Sequence, residues 1–165
     1  MIAAILNSYT LSLTYLRELV AEVPDDMFTA QLAGAVNHPA WVMGHLIYSA
    51  QAIGGEIGLT QWLPSEWAAQ FATGSIPVSD RTMYPSKDSL LGWLTDAEQR
   101  IRNRIITIGD DGMLEPLPDV RHRESFPTIG HAVLHILTTH AALHIGQLTV
   151  WRRVLGYGPL GKSFV

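Results

Sequence analysis

Apolar residues recur at steps of three and four through four separate stretches of this 165-residue chain, and no stretch shows a convincing two-residue alternation. That period is the one by which an α-helix buries one face, so four amphipathic helices must find cover in one another. The first stretch runs from Ile2 to Val23, with Ile5, Leu6, Tyr9, Leu13, Leu16 and Val20 on one side, and Pro24-Asp25-Asp26 ends it. The second, NHPAWVMGHLIYSAQAIGG, starts with Asn37 or His38 as N-cap and Pro39 in the first turn, and Gly54-Gly55 reads as its stop. The third is capped by Ser86, carries Leu90, Leu94, Ala97, Ile101 and Ile105 on its buried stripe, and closes at Gly109-Asp110-Asp111-Gly112. The fourth begins near Thr128 and runs to about Leu155, where GYGPLG breaks it. Between the second and third lies a stretch from Gly55 to Pro85, rich in Gly, Pro and Ser, with one short helix opening at Pro64-Ser65. It is too long for a plain linker in a compact domain, so it is expected to pack over the helices or cover a site. The expected architecture is an all-α four-helix bundle with this long ordered connection, forming a single domain over 1–165.

Composition narrows the function. The net charge of −4 and the scattered Lys and Arg residues offer no basic field for nucleic acid. No apolar run approaches the roughly 18 residues of a membrane span. The start MIAAILNSYTLSLTYLREL lacks an early basic region and continues helically, so the expected location is cytoplasmic. There is no cysteine, which excludes disulfides, thiolate metal sites and a cysteine nucleophile. Any thiol chemistry needs a thiol from outside.

Seven histidines remain to be placed. With His131 at zero and about 100° per residue, His135 falls at about 40°, His140 at about 180° and His144 at about 220°. The pair His140 and His144 therefore shares the apolar stripe of Val133, Ile136, Leu137, Leu143, Gln147, Leu148, Trp151 and Val154, while His131 and His135 look the other way, toward solvent or a subunit contact. Burying an unpartnered polar ring costs on the order of 1–3 kcal/mol, and the i, i+4 spacing lets two imidazoles converge on one ion. In the second helix His45 shares an inward face with Trp41, Val42, Tyr48, Ser49 and Ala52. Three inward histidines on two helices match an open three-nitrogen metal site. The alternative is three core histidines satisfied by carbonyls or by Gln147. His38 lies near the same face as His45, as a cap or a pocket residue; His122 carries no specific signal.

At this point the chain resembles the DinB family of metal-binding four-helix bundles. The resemblance rests on HPAWVMGHL, on LPSEWAAQF followed by YPS, on FPT, and on HAALHIGQLTVWRRVLG. It implies His45, His140 and His144 as ligands of a divalent metal, with zinc or nickel ahead of manganese, and a homodimer. It also implies a small-molecule substrate and, in characterised relatives, transfer of a low-molecular-weight thiol as co-substrate. A non-enzymatic binding or stress-related bundle, and a hydrolase that activates water, are the alternatives. Against the hydrolase, neither ligand-bearing helix offers an obvious buried carboxylate base; Glu56 lies just past the second helix and Glu124 before the fourth.

The remaining candidates have supporting roles. Gln147 is placed to orient a ligand imidazole, or to pack. Trp41, Tyr48 and Trp151 are candidates for a pocket around the metal, or for plain core. Arg152 and Arg153 read as cations at a helix end. Trp62, Trp67 and Phe71 read as anchors of the long connection.

Overall fold

The computed structural model describes residues 1–31 and 37–161. Among them the regular structure is helical, with no strand beyond one isolated bridge between Pro116 and Thr128. The helices are α1 (Ile2–Val20), α2 (Pro39–Glu56), the short α3 (Trp67–Phe71), α4 (Lys87–Leu114), α5 (Ile129–Leu134) and α6 (Ala141–Val154). A π-helical turn, His135–His140, joins α5 to α6 without a break. None of these helices is long and apolar enough to cross a membrane.

α1 buries Ile5, Leu6, Tyr9, Leu13, Leu16, Leu19 and Val20. It ends three residues before the expected Val23, because Pro24 disfavours helical geometry in the residue before it. The chain instead closes a tight turn, with the Val23 amide donating to the Val20 carbonyl. α2 begins with His38 as N-cap: its Nδ1 accepts from the Trp41 amide at 3.2 Å, and Pro39 takes the first position. The Gly54-Gly55 pair does not stop α2, which continues to Glu56. The stop is Gly58, at φ 82°, with the Leu59 amide donating to the Gly54 carbonyl and the Gly58 amide to the Gly55 carbonyl. Gly54 has another reason to lack a side chain, since a Cβ there would lie 2.9 Å from the Trp62 ring.

The connection from α2 to α4 is tied down along its length. Gln51 Oε1 accepts from the Trp62 and Leu63 amides at 2.8 and 2.6 Å. Trp67 and Phe71 are buried, and Phe71 lies over Gly44, where a Cβ would come within 2.1 Å of its ring. At the far end Arg81 pairs with Asp25, and the same carboxylate accepts from the Lys87 amide. Ser86 caps α4 by accepting from the Ser89 amide. α4 breaks at Gly109 (φ 65°) and then adds one more turn to Leu114, so the glycine-rich stop is a kink followed by a short continuation.

The π turn corrects the helix-face reading. Buried residues before it are Ile129, Ala132 and Val133; within it, Leu137; after it, Ala141, Ile145, Leu148, Trp151 and Arg152. An unbroken α-helix would set Ile145 about 120° away from Val133. The wider i→i+5 turn absorbs one residue, about 100°, and returns Ile145 to the buried side. Leu143 and Val154, expected in the core, are therefore exposed, and so is Gln147. His140 and His144 move from the middle of the stripe to its half-buried edge.

Two further assignments change. Trp151 is buried away from the histidine group, its Nε1 donating to the Ala30 carbonyl at 2.7 Å and its ring stacked on Tyr157. Arg152 is more than a cation at a helix end. It is buried, donates to the Leu19 and Gly158 carbonyls, and pairs with Glu22, so it joins the ends of α1 and α6.

Candidate metal centre

The site begins with His45 in the middle of α2. One turn earlier, Trp41 stacks its indole on the imidazole, with centroids 4.8 Å apart and planes 7° from parallel, and its own Nε1 donates to Ser75 Oγ. His45 Nδ1 lies 2.6 Å from the Phe71 carbonyl oxygen. A carbonyl only accepts, so Nδ1 carries the proton and Nε2 keeps its lone pair. That lone pair faces His140, whose Nε2 is 3.0 Å away.

The last helical run supplies the other two rings. His144 Nδ1 is 3.1 Å from Gln147 Oε1, which also accepts from Asn37 Nδ2 at 2.9 Å. The amide oxygen again assigns the proton to Nδ1 and leaves Nε2 open. His140 Nδ1 is buried with no hydrogen-bond partner among the described residues. Ring centroids are separated by 4.5 Å for His45 and His144, 4.6 Å for His140 and His144, and 5.0 Å for His45 and His140.

One ring nitrogen from each histidine lies within 4.8 Å of the others. A tetrahedral ion with metal–nitrogen distances near 2.0–2.1 Å needs nitrogens about 3.4 Å apart; the His45–His140 pair, at 3.0 Å, lies close to that value, and the third nitrogen is within 4.8 Å of both. Burial pushes all three imidazoles below the ordinary histidine range, His140 to about 4, with the neighbouring His144, His45 and His135 adding to the shift. They are neutral at neutral pH, as metal binding requires. The set therefore fits a divalent metal, and with no carboxylate in it the charge of the ion would stay uncompensated.

His45 and His140 also line one end of a cavity of about 500 Å³. Its wall follows one face of α2 through Tyr48, Ser49, Ala52, Ile53 and Glu56, and is completed by Leu117, Phe126, Ala132 and Ile136. Asp119, Arg121 and His122 stand at the rim.

Of the residues singled out from the sequence, Trp41, His45, Tyr48, His140, His144 and Gln147 belong to this neighbourhood. His38 does not. Its second nitrogen bonds the Val78 carbonyl at 2.9 Å, and its ring meets the edge of Tyr84, so it is a cap that also holds the connection. Trp151 is likewise elsewhere. His131 is exposed and bonded to Thr128 Oγ1. His135, expected to face away, is half-buried against Phe126 with its ring 6.5 Å from that of His140, because the π turn swings the two histidine sets onto adjacent faces. Sequence reasoning missed the Phe71 carbonyl and the wall from Leu117 to Phe126. One signal was present: Gly44 inside a helix costs about 1 kcal/mol against alanine, which calls for a close neighbour.

An all-helical fold with a three-histidine group, two of whose rings line a cavity, is the class that these observations define. The chain belongs to the DinB superfamily, whose sequence model matches residues 9–148 and so includes all three histidines. No curated protein and no solved structure matches the chain.

Proposed function

We propose that this protein is a metal-dependent enzyme that transfers a low-molecular-weight thiol to an electrophilic small molecule, with His45, His140 and His144 holding a divalent metal. The architecture is read as a four-helix bundle of α1, α2, α4 and the run from α5 to α6, with residues 57–86 as the long connection. The observation that carries the reading is the convergence of three neutral imidazoles, from two helical runs, two of which (His45 and His140) line one end of a cavity.

A zinc or nickel ion at three neutral ligands would bind a thiol in its thiolate form at neutral pH, supplying the nucleophile that a chain without cysteine lacks. The Phe71 carbonyl and the Gln147 amide hold the His45 and His144 rings in the tautomer that points Nε2 inward. The apolar wall of Ile53, Phe126 and Ile136 excludes water from the acceptor. In the transfer, sulfur forms the new S–C bond, the leaving group departs with the bonding pair, and the thiol proton passes to solvent. A hydrolase would need a general base near the histidines. Glu56, the carboxylate of α2 on the cavity wall, closes the helix about 16 Å of axis beyond His45, which argues against it.

The test is turnover of a thiol panel with an alkyl bromide, using protein loaded in turn with zinc, nickel and manganese. Thioether formation that needs metal and is lost in His140→Ala supports the reading. Metal-loaded protein that turns over no thiol removes the transferase reading and leaves the binding module or the hydrolase.

A homodimer and a cytoplasmic location belong to the same proposal. The face that would serve the dimer is the exposed stripe of Leu143, Val150 and Val154 on α6. Leu143→Arg is expected to convert a dimer to monomer in sedimentation while changing chain stability by less than about 0.5 kcal/mol; unchanged mass would remove that face from the account.

A further inference from the structure

The two ends of the cavity differ. At one end stand the histidines; at the other, α2 ends in Glu56, eleven residues and about 16 Å of helix axis further on. Between them the wall is mainly apolar, with Ile53, Phe126 and Ile136. At the rim, Arg121 is committed to Asp119: its Nε and Nη2 reach both carboxylate oxygens at 2.6–3.2 Å, and its amide donates to the same side chain. That pair is neutral as a unit. Glu56 is different. One oxygen accepts from the Asp119 amide at 2.9 Å, and among the described residues no cation forms an ion pair with it. Its field reaches Arg121 only at longer range. A half-buried carboxylate on a cavity wall, without a cation of its own, is complementary to a positive group on a ligand.

We infer that the cavity takes an elongated amphipathic small molecule that carries an ammonium group at the end away from the histidines, bound by Glu56. Its volume of about 500 Å³ is that of a small-molecule site. The inference rests on the reading of this cavity as the substrate site and adds the polarity of the substrate, with the apolar body along Ile53 and Phe126.

The experiment uses the full chain free of metal, titrated with n-octylamine, n-octanol and n-octanoate at neutral pH and followed by amide shifts of Ile53, Glu56 and Phe126. Octylamine is expected to bind about tenfold more tightly than octanoate, with octanol between. Glu56→Gln, which keeps an oxygen for the Asp119 amide, is expected to bring the amine to the level of the alcohol. The amine preference in the unaltered chain should also shrink at high salt. Equal or tighter binding of octanoate overturns the inference, as does an amine preference that survives Glu56→Gln, or one indifferent to salt should that variant fold poorly. Because the titration contains no metal, its failure leaves the metal reading standing. Loss of the metal reading would show instead in metal content.

Discussion

His38, the N-cap of α2, and His45, in its middle, stand seven residues apart, and both are buried. The first turn of the helix and its middle nevertheless use the same side chain in opposite tautomers. His38 accepts at Nδ1 from the Trp41 amide and donates at Nε2 to the Val78 carbonyl, so both nitrogens are spent inside the protein. His45 donates at Nδ1 to the Phe71 carbonyl and turns Nε2 toward His140. The difference separates a structural histidine from a candidate ligand by counting nitrogens, which burial alone cannot do. It also gives the long connection a second role, because Phe71 supplies the carbonyl that selects the tautomer of His45.

The largest way to break this contrast is to remove the notch that seats Phe71. Gly44→Val would drive a side chain into the Phe71 ring, and a loss of about 3 kcal/mol in a urea melt of metal-free protein is expected. Metal affinity should fall at the same time, as read by chelator competition. Stability lost with affinity unchanged would show that the Phe71 carbonyl does not orient His45. Next in size, Gln147→Leu removes the acceptor of His144 Nδ1 from an exposed position. A decrease in metal affinity of about 10–100-fold is expected, with stability within about 0.5 kcal/mol of the original.

The smallest of these effects sharpens the other side of the comparison. His38→Asn keeps a capping residue but loses the Val78 contact, and should cost about 1 kcal/mol at neutral pH without altering metal content. Burial holds His38 at about 4, below its value in the unfolded chain, so the unfolded state binds the extra proton first. Its contribution to stability is complete above about pH 6.5 and is lost as pH falls toward 4. The three clustered histidines act with the same sign, so melting temperature against pH in metal-free His38→Asn should fall less steeply than in the original chain, not become flat.

Much of this molecule is legible in the sequence, for identifiable reasons. Ser86 announces its cap, the structure chooses His38 over Asn37 for the other, and the apolar steps of α1, α2 and α4 recur as their buried faces. The three histidines follow from helical phase within single turns, where an error of one residue does not accumulate: His140 and His144 bracket the start of α6. Phase fails across the π turn, because periodicity assumes a constant rotation per residue. It accordingly puts Leu143 and Val154 in the core and His135 on the far face, where the structure has neither. The cavity wall from Leu117 to Phe126 is illegible for a different reason. It lies in an irregular segment whose position depends on contacts distant in sequence, such as the Ile129 amide to the Glu115 carbonyl and the Asp119 amide to Glu56. The burial of Arg152 is hidden in the same way, since its partners Leu19 and Glu22 belong to the other end of the chain.

Metal content of three purified proteins, each loaded and then dialysed, tests the central contrast most directly. About one ion per chain is expected in the original protein and in His38→Ala, and none in His140→Ala, with folding of all three checked by circular dichroism. Metal retained by folded His140→Ala, or lost from folded His38→Ala, would contradict the account.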